Sequence, residues 1–120
     1  MGRHILAQAG FVPRGFVAPA YAYTPALRSV LAEHFDWWAT LLSLKGIASA
    51  HAPALCLGTS DAFKRATTPA LVRAGAAVSG PLLRLDLQPA DFDHPRHVQA
   101  LERVLINAYG RRAVTYDDLC

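Results

Sequence analysis

The chain has little cysteine: Cys56 and Cys120 are the only two among 120 residues. Two cysteines do not build a disulfide scaffold, and neither belongs to a metal-type pair. A reduced, cytoplasmic setting is therefore expected. Cys56 sits within Ala54-Leu55-Cys56-Leu57 and is read as a small packed hydrophobe. No apolar run approaches the length of a membrane span. The first ten residues lack the apolar stretch of a secretory leader. Charge is also sparse, at 18% of residues, against roughly a quarter in an average soluble domain. Ten of the twelve basic residues are arginines scattered from Arg3 to Arg112, with adjacent cations only at Lys64–Arg65 and Arg111–Arg112. No cationic stripe interleaves with aromatics, so the net charge of +3 does not suggest a nucleic-acid binder. Repeats, low-complexity tracts and Pro/Gly-rich linkers are absent, and residues 1–120 are read as one domain.

What is present is apolar. Hydrophobic residues make up 52% of the chain, enough to bury a core, with an excess that suggests a partner-covered surface. Arg3 to Ala9 reads as helix stopped by Gly10. Gly15 to Ala18 reads as a strand ended by Pro19. Thr24 caps a helix with Pro25 at its first position, Leu27, Val30 and Leu31 on one face, and an end near His34. Phe35 to Leu44 suits a strand, Lys45–Gly46 a turn, and Ile47 to Ala50 a returning strand. Leu55 to Gly58 is a further strand. Thr59-Ser60-Asp61 caps a helix from Ala62, which Pro69 interrupts and Ala70 to Val78 resumes. Leu82 to Leu87 is the clearest strand, with Leu83, Leu85 and Leu87 on one face and Arg84 and Asp86 on the other. Pro95 opens a helix to Tyr109 whose core stripe is Val98, Leu101, Val104, Leu105 and Ala108. Thr115-x-x-Asp118 has the form of a capping box. The alternation predicts an α/β fold of mostly parallel strands, with Gly15–Ala18 and Leu82–Leu87 running the same way in one sheet.

In such folds, sites gather where strands end. Two ends stand out. Gly15-Phe-Val-Ala-Pro-Ala-Tyr21 fixes the backbone at Pro19 and sets Tyr21 at the rim. Leu83-Arg-Leu-Asp-Leu-Gln-Pro-Ala-Asp91 places Gln88 just before Pro89. Trp37 and Trp38 offer ring faces for a sugar groove. Adjacent strand residues face opposite ways, so one of the two belongs to the core. His94 and His97 share a predicted helix face, but with no third ligand nearby they are read as surface histidines. His51 is read as solvated. His34 and Asp36 are expected to share a local hydrogen bond, and Arg84 and Asp86 to pair across their strand face.

The two strand-end segments, followed by a helix and a Thr-Tyr turn, resemble the later part of the polysaccharide deacetylase (NodB-like) superfamily. They resemble more narrowly a bacterial branch with a G-F-V-A-P-A-aromatic segment and a closing L-x-L-H-P-x-D strand. The counterparts here are Gly15 to Tyr21, Leu85 to Asp91, Pro95 to Tyr109, and Thr115–Tyr116. The resemblance implies a partial βα-barrel-like, NodB-type arrangement. It implies hydrolysis of N-acetyl groups on amino sugars by zinc or a similar divalent metal, held by an aspartate and two histidines, with a second aspartate as base and a late histidine as acid.

The chain departs from that pattern. The metal-holding half belongs to earlier sequence, and no His-x-x-x-His occurs here. Asp117–Asp118 is read as first-turn charge. Gln88 stands at the position of the late histidine, and an amide does not titrate. The chain is therefore expected to be a C-terminal portion of such a fold, inactive alone, with no cofactor of its own. Pro19, Tyr21 and Trp38 are its substrate-binding candidates. A different reading is a non-catalytic carbohydrate-binding or protein-interaction module. The expected partners are a polysaccharide or amino-sugar ligand and, along an uncovered sheet edge, a second copy or a complementing N-terminal half. Nucleic acid and membrane are not expected.

Overall fold

Gly15-Phe16-Val17 pairs with Trp37-Trp38-Ala39, and the reason these two short segments can approach lies at Gly15. A Cβ there would fall inside the Trp37 indole, so the ring lies over the bare glycine. The computed structural model describes residues 2–46 and 50–119 as a mixed α/β fold. It divides into two compact units, Met1–His51 with Ala113–Cys120, and Ala52–Arg112.

The first unit opens with α1 (Gly2–Gln8), stopped by Gly10 at φ +84°. β1 (Gly15–Val17) and β2 (Trp37–Ala39) are parallel, with Phe16 opposite Trp38. They are joined by α2 (Pro25–His34), whose first turn is capped by the Thr24 hydroxyl accepting from the Leu27 N–H. Of the expected inner face of α2, Leu31 is buried, whereas Val30 is half exposed. β3 (Ser43–Gly46) and β4 (Ala50–His51) add antiparallel pairs, giving the order β1-β2-β3-β4. The buried core is slight: Ala18, Leu31, Ala39 and Leu44.

Residues 35–44 do not form one strand. The chain reverses at Leu41–Leu42, between Thr40 and Ser43. The Thr40 N–H donates to the Ser43 carbonyl at 2.8 Å, and the Ser43 N–H donates to the Thr40 hydroxyl at 3.1 Å. Lys45–Gly46 closes β3 instead of forming that turn. Gly46 is needed there because φ is +122° and a Cβ would meet the Asp36 carbonyl. Of the expected return strand, residues 47–49 lie outside the described residues, and Ala50 pairs with Leu44.

The second unit holds β5 (Ala54–Cys56), α3 (Ala62–Ala77), β6 (Arg84–Asp86) and α4 (Pro95–Asn107). β5 and β6 are parallel. They form a sheet of their own, so β1 and β6 do not share one sheet as the alternation had suggested. Two of the four strand pairings are antiparallel, because the β2–β3–β4 connections are too short for crossovers. Asp61 caps α3 by accepting from the Lys64 N–H at 2.8 Å, and that bond holds its carboxyl below the usual aspartate range.

Pro69 does not break α3, which runs through it. An interior proline costs about 3 kcal/mol. Here it is buried, on the side of the helix that carries Val72. Leu57, Val72, Leu101 and Val104 form the core, with Leu55, Ala76, Leu83 and Leu85 packed against it. The expected stripe of α4 shifts: His97, Ala100, Leu101 and Val104 are buried, while Leu105 points out at 59% exposure.

One side chain ties the strand ends of the first unit. The Tyr23 hydroxyl accepts from the Ala18 N–H at 3.0 Å and donates to the Ala39 carbonyl. Both of these residues are buried. Tyr23→Phe leaves a buried donor and a buried acceptor unmatched, and should cost roughly 1–3 kcal/mol. Urea unfolding followed by circular dichroism measures it; an unchanged midpoint contradicts the assignment.

Candidate functional site

In the first unit, the segment leaving β1 is the candidate corner. Pro19 begins a tight turn to Tyr21, and both Ala20 and Tyr21 adopt φ +52°. Left-handed backbone at two consecutive non-glycine residues is uncommon, and it persists only where surrounding contacts fix it. Tyr23 supplies that constraint by its two bonds to the ends of β1 and β2. Pro19 is exposed, and Tyr21 and Trp38 are half-buried. Trp38 lies one residue before the end of β2, opposite Phe16. Pro19 and Tyr21 thus follow the end of β1, and Trp38 lies within β2. Trp37 has another task. Its indole N–H donates to Asp117 Oδ1 at 2.7 Å, and its ring meets Tyr116 edge-on at 4.9 Å. The Thr115 box forms as read: the Thr115 N–H donates to Asp118 Oδ2 at 2.7 Å.

In the second unit, the parallel strands end with Cys56 opposite Asp86. The Cys56 thiol points at Asp86 Oδ2, 3.6 Å away. Burial, then the Asp86 charge and its hydrogen bond, push the thiol from 9.0 up to about 11; Arg84 opposes and Asp91 adds to the rise. Arg84, only 5% exposed, donates to the Ala52 carbonyl at 2.6 Å. Gln88 is exposed and starts the tight turn Pro89–Asp93. Its N–H donates to Asp91 Oδ2 at 2.8 Å, and its amide approaches Asp86 Oδ1 at 3.4 Å.

Asp91 and His97 are both fully buried. His97 Nδ1 lies 3.5 Å from Asp91 Oδ1, and the His94 ring stands 5.1 Å from that of His97. His97 is thus a core residue and not a surface one. The preceding turn carries Asp91 inward and α4 turns this histidine toward it. Among the described residues, Asp91 Oδ1 and both His97 ring nitrogens have no hydrogen-bond partner. Buried polar groups in that condition cost about 1–3 kcal/mol each, so the enclosure is imposed by its surroundings.

The sequence carries no signal that Asp91, His94 and His97 form one cluster. Nothing in the spacing Asp91-x-x-His94-x-x-His97 announces burial. Elsewhere, His51 is exposed as expected. Asp36 pairs with Arg14 at 2.9 Å instead of with His34.

Among the described residues, no three His, Cys, Asp or Glu side chains converge to hold a metal ion. No family model, curated protein or solved structure matches this chain.

The surroundings of Cys56 argue against nucleophilic use, because the thiolate is the reactive form. A rise from 9.0 to about 11 leaves about 100-fold less thiolate at neutral pH than an ordinary cysteine. In a Cys120→Ser background, a thiol-specific chromogenic reagent should label Cys56 correspondingly slowly and faster as pH is raised. Asp86→Asn should speed the reaction by removing the opposing charge. Rapid labelling at neutral pH contradicts this.

Proposed function

We propose that this chain is a polysaccharide deacetylase-like protein, the C-terminal portion of a NodB-type βα-barrel-like fold, which contributes strand-end residues to a carbohydrate groove and has no turnover alone. The observation that carries the reading is the pair of parallel β-α-β units, β1-α2-β2 and β5-α3-β6. The segments that bear the resemblance each follow a strand of these units, Pro19–Tyr21 after β1 and Gln88–Asp91 after β6. Side chains at the ends of parallel strands are where βα folds keep their chemistry.

In this reading Pro19, Tyr21 and Trp38 contact sugar, with the exposed proline and the aromatic faces packing on apolar sugar faces. Gln88 occupies the acid's position and supplies a hydrogen bond without a titrating proton. The ligand is a polymer of acetylated amino sugars. The metal-holding half comes from another chain segment, or a second copy covers the open edge. The compartment is cytoplasmic, in keeping with the free thiol of Cys56. No helix among the described residues is long and apolar enough to cross a membrane.

A second reading is a non-catalytic carbohydrate-binding or protein-interaction module, favoured by Gln88 at the late histidine's position, since an amide carries no titrating proton. Binding without turnover satisfies both readings, and they differ in what a complementing half would restore.

Isothermal titration with chitooligosaccharides should detect binding by the intact chain. Trp38→Ala should weaken it roughly 2- to 10-fold, the scale of an aromatic contact worth ~0.5–1.5 kcal/mol. Acetate release from acetylated chitin fragments should be absent in the chain and in Gln88→His alike. No sugar binding, or turnover by the purified chain, overturns the reading.

Metal content gives an independent check. After dialysis against zinc and then buffer, elemental analysis should find well below one zinc per chain. A chelator-resistant equivalent lost in His94→Ala or His97→Ala contradicts it.

A further inference from the structure

The outer side of α3 and α4 carries a feature that neither the sugar corner nor the buried Asp91–His97 pair uses. An open groove of about 1050 Å³ runs between the two helices over their C-terminal halves. One wall is formed by Ala70, Ala74 and Ala77 of α3, spaced at 70, 74 and 77 so that they line one face. With no side chain beyond Cβ, this face admits another backbone closely, at the 8–10 Å separation of packed helices. The facing wall includes Ile106 of α4, 72% exposed, and beyond it Tyr109 is 94% exposed.

The rim gives the charge of the occupant. Arg73 and Arg103 line the groove from its two sides. Both are exposed, and neither has an ion-pair or hydrogen-bond partner among the described residues. A third guanidinium, Arg111, also lines it and is tied to the Gly80 and Ser79 carbonyls at 2.8 and 3.3 Å. Against these stands one carboxylate, Glu102. A floor of alanines and Ile106 flanked by Arg73 and Arg103 is complementary to a segment with apolar residues on one face and acidic residues beside them. A second copy is a poor match, because the chain is itself basic at net +3.

We infer that this groove docks an acidic amphipathic helix of a partner protein, with the helix's apolar ridge against Ala70, Ala74, Ala77 and Ile106 and its carboxylates on Arg73 and Arg103. The inference does not depend on the carbohydrate reading, since every residue it uses lies outside the strand ends.

The test uses the full chain and a synthetic amphipathic helical peptide bearing leucines at helical spacing flanked by glutamates. A twin with lysine flanks is the control. Fluorescence anisotropy should show binding of the glutamate peptide, weakened by salt, and much weaker binding of the lysine twin. Amide shifts in a nitrogen-15 spectrum should map to the groove residues of α3 and α4. Arg73→Glu with Arg103→Glu should weaken binding roughly tenfold, and Ala74→Trp should block the groove. Circular dichroism confirms that each variant is folded, and the surface positions of all three make unfolding avoidable. Equal binding of the two peptides, shifts that map elsewhere, or self-association abolished by Ala74→Trp each overturns the inference, the last by naming a second copy as occupant.

Discussion

Three-residue strands cannot hold a parallel pair through backbone bonds alone, and β1, β2, β5 and β6, the four strands in the parallel pairs among the described residues, are that short. Parallel ladders are also weaker per residue than antiparallel ones. Side chains complete each pair. Tyr23 bridges the ends of β1 and β2, and Arg84 reaches from β6 to the Ala52 carbonyl just ahead of β5. Asp91 ties back the backbone that leaves β6. Each tie spends a polar group in a place with little water, so each is fixed in geometry once formed. The strand ends are thereby held by side chains as well as by the ladder, and they are the natural places for a site.

That arrangement accounts for what was legible beforehand. Helix caps rely on local chemistry, and Thr24, Asp61 and Thr115 act where their spacing places them. Leu83 and Leu85 pack into the core, as strand alternation requires. The turn at Leu41–Leu42 could not be read, because two leucines give no turn signal and the reversal is held by Thr40 and Ser43 on either side. Pro69 misled in the opposite sense. A strong local breaker was overridden by burial within the helix pair, which is how tertiary packing outweighs propensity.

The candidate site divides along the same line. Pro19 and Tyr21 stood out because proline punctuates a strand end, yet the left-handed backbone at Ala20 and Tyr21 has no residue signature. Alanine and tyrosine both disfavour it. Tyr23, which sustains that turn, is one tyrosine among four and gained meaning only from its two partners. The lack of a third ligand near His94 and His97 points to surface histidines, whereas the face of α4 that carries His97 is decided by Leu101 and Val104, one and two turns further on. Polarity predicts exposure only when the helical face is already known.

The bond between Trp37 and Asp117 spans 80 positions of sequence, and the whole second unit lies between its two ends. The first unit is therefore sewn shut by its last residues. Closing so long a loop in a disordered chain carries an entropic penalty that grows with the logarithm of its length, and long-range contacts of this kind slow folding. Loop closure of this length favours an order in which local contacts of the second unit form before the Trp37 clasp. During synthesis on a ribosome the Trp37 ring has neither Tyr116 nor Asp117 to meet until the last residues of the clasp emerge.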